Sequence, residues 1–144
     1  MLGGIVSEEW LARMYELYRC SPVHALFGME LIELGQGRSL VEFDPRPEHL
    51  NAMGAVHGGI IATILDSALL QSVRTRIGPE DRPSTLELKI NYLAPAVASP
   101  FRCRGRALRV GGTVGVAEAV LSDAHDDVVA ASLGTIFVKR AERG

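Results

Sequence analysis

The sequence predicts an α+β fold in which a mostly antiparallel sheet wraps around one long, buried helix. One helical stretch is apolar over most of its circumference, which is typical of a helix surrounded by protein. Two strand-like segments precede this stretch and four follow it, and glycine-containing turns join two of the strand pairs. The 144 residues, of which 47% are apolar, suffice for a core, so residues 1–144 are predicted to form a single domain.

The N-terminal helix is predicted over about residues 7–20. Ser7 is expected to cap it, because a serine oxygen accepts a hydrogen bond from a free N–H of the first turn. Ser21-Pro22 ends it, since proline disfavours helical geometry in the residue before it. The next predicted elements are two strands and a proline-containing loop, from Met29 to Leu34, Ser39 to Phe43 and Asp44 to Gly54.

The long helix is predicted from His57 to about Ile77, with Gly78-Pro79 as its end. Four strands are predicted after it, from Leu86 to Tyr92, Phe101 to Val110, Thr113 to Leu121 and Val128 to Val138. In the first of these strands, Leu86, Leu88, Ile90 and Tyr92 alternate with Glu87, Lys89 and Asn91, which is the pattern of a strand.

Composition excludes several classes of function. A formal net charge of −2 provides no strong field for nucleic acid or an anionic membrane. No apolar run approaches the roughly 18 to 20 residues that span a bilayer, and Met1 to Trp10 shows no leader peptide, so a cytoplasmic location is expected. Cys20 and Cys103 are isolated and are expected to be free thiols. The four histidines lack zinc-ligand spacing, and neither a metal nor a cofactor is expected.

The segment from Asn51 to Gly59 places an amide, an imidazole and two glycines at the start of the long helix. Free N–H groups and the positive end of the helix dipole lie there, so His57 and Gly58-Gly59 suit the polarisation of a carbonyl and the binding of an oxyanion. The alternative is that the glycines only shape a loop-to-helix turn, with His57 as its cap. Asn51 can hold a water molecule or a carbonyl, or serve as an ordinary turn residue.

Asp66 lies in the middle of the long helix, where aspartate is unfavourable and where its neighbours are mostly apolar. A carboxylate in such a place is a candidate base or nucleophile. The alternative is a structural aspartate that hydrogen-bonds to a neighbouring strand or to Ser67. Thr85 lies at the start of the next strand. It either contributes a hydroxyl to the site or is present only because threonine favours strands.

Helix geometry separates the two ends of this motif. His57 and Asp66 are nine positions apart, so they lie on opposite sides of one helix and roughly 13 to 14 Å apart. A catalytic role for both therefore requires Asp66 from a second subunit, in a symmetric dimer with two equivalent sites.

Three arginines share one face of a later predicted strand: Arg102, Arg104 and Arg106. Such a face suits either phosphate binding or a solvated surface.

The segment Asn51-Ala-Met-Gly-Ala-Val-His57-Gly58-Gly59, with Asp66 nine residues after the histidine, resembles the signature of PaaI-type hotdog-fold acyl-CoA thioesterases. The later Tyr92-Leu-Ala-Pro95 resembles the strand end that this family carries, and the resemblance extends from about Met29 to Val138. It implies a hotdog fold, homodimers that often pair into homotetramers, and active sites at the subunit interface.

The resemblance also implies residue roles. Gly58 would donate its backbone N–H to the thioester carbonyl, while His57 and Asn51 would position the carbonyl or the water. Asp66 of the partner subunit would be the nucleophile or general base, and Thr85 falls where some relatives carry a serine that places the water. Contacts with coenzyme A are implied for Gly59, Tyr92, Pro95, Arg109, Val110, Gly111, Gly112 and Thr113.

The resemblance implies hydrolysis of an acyl-CoA thioester, with an aromatic or aliphatic acyl group, to a free acid and coenzyme A. Because a thiolate is a good leaving group, one carboxylate and one oxyanion donor suffice. One alternative is a hotdog hydratase or dehydratase, which usually carries a histidine-plus-acid arrangement that this sequence does not show. The other is a non-catalytic acyl-CoA binding or sensing module, which needs no carboxylate facing the thioester.

Overall fold

Six strands form one antiparallel sheet in the computed structural model, which describes residues 6–142 of the chain. In chain order the elements are α1 (Glu8–Arg19), α2 (Pro22–Phe27), β1 (Met29–Gly35), β2 (Arg38–Phe43), a short 3₁₀ helix (Pro47–His49), α3 (Gly58–Arg74), β3 (Arg82–Tyr92), β4 (Phe101–Val110), β5 (Val114–Ser122) and β6 (Val128–Lys139). The expectation that no leader peptide begins the chain falls partly on residues 1–5, which lie outside the described residues.

The strand order is β1-β2-β4-β5-β6-β3, and all neighbouring pairs are antiparallel. α3 contacts every strand, so the sheet wraps around it. β3 forms one edge of the sheet, whereas α1 and α2 contact β1 at the other edge. This arrangement confirms the predicted α+β class, in which an antiparallel sheet surrounds one central helix as in a hotdog fold.

The close packing of α3 on the sheet follows from two small residues. Leu65, Ala68 and Leu69 of α3 are fully buried. Gly105 on β4 lies directly against the helix, because a Cβ at this position would overlap the Ala68 carbonyl oxygen. Ser39 on β2 donates its hydroxyl to the same carbonyl oxygen at 2.6 Å. A glycine and a serine therefore let helix and sheet approach more closely than larger side chains would.

α3 ends at Arg74, before the predicted end near Ile77. Thr75 causes the difference, because its Oγ1 donates to the Ser72 carbonyl oxygen at 2.8 Å and accepts from the Gly37 N–H at 2.7 Å. The helix boundary is thus set by a contact with the distant turn between β1 and β2. That contact has no signal in the local sequence.

β3 begins at Arg82, earlier than the predicted start at Leu86. The pairing with β6 shifts register between Thr85 and Glu87, so Leu86 is the extra residue of a β-bulge. Its side chain is 63% exposed. Regular alternation would place Leu86 on the same face as Leu88 and Ile90, and it fails at this position because it does not anticipate a bulge.

The bulge brings Thr85 and Tyr92 onto the same face of the sheet. They are seven positions apart, and residues an odd number of positions apart lie on opposite faces of a regular strand. Their partners on β6 are Ile136 and Ala130, and both partners are fully buried. Thr85 and Tyr92 therefore both face α3, one near each end of β3.

Two short helices differ from the predicted organisation. α2 follows α1 directly, with Pro22 at the first helical position, where proline is well tolerated. The 3₁₀ helix lies within the segment predicted as a loop from Asp44 to Gly54. Within residues 6–142, no helix is both long and apolar enough to cross a bilayer.

Candidate active site

The N-cap of α3 sets the tautomer of the neutral His57 ring. His57 Nδ1 accepts a hydrogen bond from the Gly59 N–H at 2.9 Å. A ring nitrogen that accepts carries no proton, so the neutral imidazole holds its proton on Nε2. The side chain is exposed. His57 therefore offers an N–H donor to the exterior of the first turn, and it also acts as the cap of the helix.

Side chains occupy three of the four polar backbone atoms of Gly58 and Gly59. The Tyr92 hydroxyl donates to the Gly58 carbonyl oxygen at 2.8 Å, and the Thr63 hydroxyl donates to the Gly59 carbonyl oxygen at 3.0 Å. His57 holds the Gly59 N–H. The remaining atom, the Gly58 N–H, has no partner among the described residues. It is the free donor at the positive end of α3.

Asn51 uses its amide oxygen to shape the loop before α3. Its Oδ1 accepts from the N–H groups of Met53 and Ala55 at 2.9 and 3.2 Å. Gly54 in the same loop adopts a positive φ of 79°, which favours glycine. The turn alternative is thus realised in the structure. The Asn51 amide nitrogen has no partner within residues 6–142, so it is the atom of this side chain that is free to contact a substrate.

Asp66 and Thr85 lie together. Asp66 is half-buried on α3, and its Oδ1 accepts from the Thr85 hydroxyl at 2.7 Å. A structural aspartate was expected to bond either to a neighbouring strand or to Ser67, and the structure shows the bond to the strand. The bond also orients the carboxylate and leaves Oδ2 without a partner in the described part of the chain. The arrangement suits an anchored base as well as a structural link.

Ser67, although adjacent to Asp66, belongs to a separate cluster on the α1 side of α3. Its hydroxyl lies 2.9 Å from the Tyr18 hydroxyl and 3.3 Å from His24 Nε2. The rings of Tyr18 and His24 stack with centroids 3.7 Å apart. Burial raises the pKa of Tyr18 to about 12 and lowers the pKa of His24. The cluster joins α1 and α2 to α3.

The turn between β4 and β5 is held by a residue that sequence reasoning missed. Arg140 donates Nη2 to the Gly111 carbonyl oxygen at 2.6 Å and Nε to the Gly112 carbonyl oxygen at 2.8 Å. Its Nη1 contacts Oδ2 of the buried Asp81 at 2.8 Å. Arg140 and Asp81 are far apart in sequence, and no local pattern marks them as partners.

Within one chain the predicted site residues occupy three separate places. Gly58 and its partners lie at the start of α3, and Asp66 with Thr85 lies near its middle. The segment from Arg109 to Thr113 lies near the other end of α3, since a Cβ on the neighbouring Gly115 would lie 3.5 Å from Val73 Cγ1. A helix of this length measures about 25 Å. A single chain does not bring these groups together.

The remaining candidates lie on the surface. Pro95 and Arg109 are exposed. Arg102 and Arg106 form ion pairs across neighbouring strands, with N···O distances of 3.3 Å to Glu42 and 2.6 Å to Glu118. These pairs favour the solvated-face interpretation over a phosphate site.

The structure also shows where the two cysteines lie. Cys20 is exposed and Cys103 is buried, and both are free thiols. No group of three or more metal-ligating side chains occurs within residues 6–142.

Comparison with known proteins identifies the family. Residues 53–130, more than half of the chain, match the Thioesterase superfamily. The chain therefore belongs to the Thioesterase superfamily. The match includes the candidate residues from His57 to Thr113, begins after Asn51 and ends before β6 is complete.

Individual relatives agree with this assignment. A candidate esterase of Saccharolobus solfataricus, SSO2140, is 30% identical over 136 residues, which cover 94% of this chain and 96% of that protein. The medium/long-chain acyl-CoA thioesterase YigI of Salmonella typhimurium is 27% identical, over 96% of this chain and 99% of that protein. The solved structure of Escherichia coli PaaI, 17% identical, shares the fold with a TM-score of 0.83 over 91% of this chain and 94% of that one. Family and relatives support thioester hydrolysis as the general reaction.

Proposed function

We propose that this chain hydrolyses acyl-CoA thioesters with a PaaI-type site at a subunit interface. The observation that carries the proposal is the first turn of α3. Of the four polar backbone atoms of Gly58 and Gly59, only the Gly58 N–H lacks a partner within residues 6–142. A donor fixed in this way, at the positive end of a helix, stabilises the negative charge that develops on a thioester carbonyl oxygen.

The proposed reaction uses few groups. Asp66 removes a proton from a water molecule, which adds to the carbonyl carbon while the Gly58 N–H binds the oxyanion. The carbon–sulfur bond then breaks, and the coenzyme A thiolate leaves and takes up a proton. The Nε2–H of His57 is a second donor to the carbonyl. Alternatively, Asp66 attacks the carbonyl carbon itself and water hydrolyses the resulting acyl-enzyme.

A dimer would join the two half-sites. Gly58, Ala62 and Asp66 follow one stripe of α3 at four-residue intervals, and all three are half-buried in the single chain. Gly58 and Asp66 are about 12 Å apart along the helix axis. A two-fold axis at the level of Ala62 would place Gly58 of one subunit opposite Asp66 of the other, with only a methyl group between the helices.

The edge strand supports the same axis. Tyr92 contacts Gly58 near one end of β3, and Thr85 contacts Asp66 near the other. The midpoint of this segment lies at Leu88 and Lys89, level with Ala62. Because β3 is an edge strand, two copies of it can pair in antiparallel fashion about that point. Both the helix and the strand therefore favour one dimer, which we propose as the unit that pairs into tetramers.

In this dimer the turn from Arg109 to Thr113 contacts coenzyme A from the subunit that also supplies Asp66. Gly59, Tyr92 and Pro95 would line the opposite half of the site. No cofactor beyond the substrate is invoked, and we propose a cytoplasmic enzyme. A non-catalytic acyl-CoA binding module is the second candidate, and it is favoured only by the structural role that Asp66 already has in its bond to Thr85.

Release of free thiol from a panel of aromatic and aliphatic acyl-CoA esters tests the proposal. We expect the wild-type protein to release thiol and Asp66→Asn to lose about 100-fold or more in kcat, the contribution of a general base. The exposed Asp44 provides the matched control, Asp44→Asn, which should keep full activity. Tight binding of acyl-CoA without thiol release would identify the binding module and refute the proposal.

A single turnover in ¹⁸O-labelled water separates the two roles of Asp66. Label that enters the Asp66 carboxylate indicates direct attack and an acyl-enzyme. Label confined to the released acid shows that water attacked the acyl carbon, which is the outcome expected when Asp66 acts as a general base.

A further inference from the structure

We infer that Tyr92 is a positioning residue for the oxyanion donor: it holds the Gly58 peptide in place through its hydroxyl and its ring. This inference rests on the proposed role of the Gly58 N–H. It gives Tyr92 a function in the chemical step, whereas a residue that only contacts coenzyme A would act on substrate binding.

Two consecutive glycines make the start of α3 difficult to hold still. Glycine is less favourable than alanine in a helix, because its backbone loses more conformational freedom on folding. The first turn also has the fewest helical hydrogen bonds. Without further contacts, Gly58 and Gly59 would sample many orientations, and a donor is effective only when it is fixed before the charge develops.

Tyr92 contacts Gly58 in two ways. Its hydroxyl donates to the Gly58 carbonyl oxygen at 2.8 Å. Its ring covers the Cα, since a Cβ at Gly58 would lie 3.4 Å from Cε1 and Cζ of the ring. The hydroxyl limits rotation of the peptide that follows Gly58, and the ring limits displacement of the residue toward β3.

The strand that carries Tyr92 is itself fixed. Tyr92 is the last residue of β3 and pairs with the fully buried Ala130 of β6. The next residue, Leu93, donates its N–H to the Val129 carbonyl oxygen at 2.9 Å. The start of α3 is thereby tied to the sheet through one phenol. His57 and Thr63, which hold Gly59, belong to the helix and its cap and cannot provide this link.

Kinetics of Tyr92→Phe tests the hydroxyl. We expect kcat to fall about tenfold, less than the 100-fold or more associated with removal of an oxyanion donor itself. KM should stay within about twofold, and the pH profile of kcat should keep its shape, because Tyr92 transfers no proton. Tyr15→Phe, which removes a tyrosine hydroxyl from α1, is the matched control and should leave kcat and KM unchanged. A Tyr92→Phe enzyme with unchanged kcat, or with an effect only on KM, would overturn the inference.

Amide hydrogen exchange provides a readout that does not depend on activity. In Tyr92→Phe the amides of Gly59 and Ile60, which are hydrogen-bonded to His57, should exchange at least about fivefold faster, while amides in the middle of α3 keep their rates. Unchanged exchange at these positions would refute the role of Tyr92 in holding Gly58, even if kcat fell. If the wild-type protein releases no thiol from any acyl-CoA, the proposed function fails, and the exchange experiment still decides whether Tyr92 holds Gly58.

Discussion

At the scale of single residues, the backbone of Gly58 is the most specific element of the site. His57, the residue before it, has φ −60° and ψ 136°, which is the extended geometry that precedes a proline without strain. Gly58 is also the first residue of α3, the position at which proline is best tolerated in a helix. A proline at this position would therefore remove the N–H and leave the helix intact.

We predict that Gly58→Pro lowers kcat by about 100-fold, since removal of one oxyanion donor typically costs 10²–10³. Gly58→Ala keeps the N–H, and its Cβ would meet the Tyr92 ring at 3.4 Å, an ordinary contact. The alanine variant should therefore retain most of the activity. Steady-state kinetics of both variants, with circular dichroism to verify helix content, tests the prediction. Equal losses in the two variants would argue against the N–H as donor.

At the scale of elements, the contact between α3 and β4 depends on Gly105. A Cβ at this position would overlap the Ala68 carbonyl oxygen, so a backbone has to shift. Gly105→Ala should lower the free energy of unfolding by about 2 kcal/mol or more, as overpacked core substitutions do. Gly112→Ala is the control, because nothing lies within 4 Å of its Cβ position. Urea denaturation of both variants measures the difference, and equal midpoints would contradict the prediction.

The elements also show what sequence patterns predict. α3, β4, β5 and β6 follow from hydrophobic periodicity and glycine-containing turns, because those signals are local. The end of α3 at Thr75 and the bulge at Leu86 do not, because each depends on a segment distant in sequence.

For the candidate site as well, the sequence predicts some features, whereas others depend on the folded structure. The sequence predicts the His57 cap as an alternative and identifies Asp66 and Thr85 separately. Their mutual bond, and the link from Tyr92 to Gly58, require the folded sheet. The role of Arg140 is not predicted, because it is distant in sequence from its partners Asp81, Gly111 and Gly112 and lies near them only in the folded chain.

At the scale of the whole molecule, Asp81 joins the end of the chain to the segment between α3 and β3. Burial raises the pKa of its carboxyl, but hydrogen bonds from the Ala141 N–H, Arg140 and the Gly78 N–H together hold the pKa below its ordinary value. A lowered pKa in the folded state stabilises the fold above the unfolded-state pKa of about 3.9, and that stabilisation is lost as the pH falls through the folded-state value.

We predict that Asp81→Asn lowers the free energy of unfolding by about 2 kcal/mol at pH 7, the typical value for hydrogen bonds to a charged group. The difference from wild type should shrink as the pH falls below the unfolded-state pKa of about 3.9 and should be lost as the pH falls through the lower folded-state pKa of the Asp81 carboxyl. Denaturation at several pH values measures this. Asp126→Asn, in an exposed turn, should show no such difference, and a constant deficit for Asp81→Asn across the pH range would contradict the explanation.

The proposed two-subunit site predicts complementation between two inactive variants. Asp66→Asn and Gly58→Pro each disable both sites of a homodimer. When the two are mixed, unfolded and refolded together, half of the dimers are mixed, and each mixed dimer has one site with Gly58 and Asp66 intact. Activity should return to about a quarter of the wild-type value. No recovery, with mixed dimers shown by mass spectrometry, would indicate a site built within one chain.

The bulge at Leu86 also bears on how this strand varies among related chains. If Leu86 were absent, the remaining residues of β3 would alternate regularly, with Thr85, Leu88, Ile90 and Tyr92 on the side of α3. A chain that is one residue shorter at this point would therefore keep both contacts with the helix. The same deletion at Lys89 would turn Glu87 toward the core. In alignments of related proteins, single-residue gaps in β3 should therefore concentrate at Leu86.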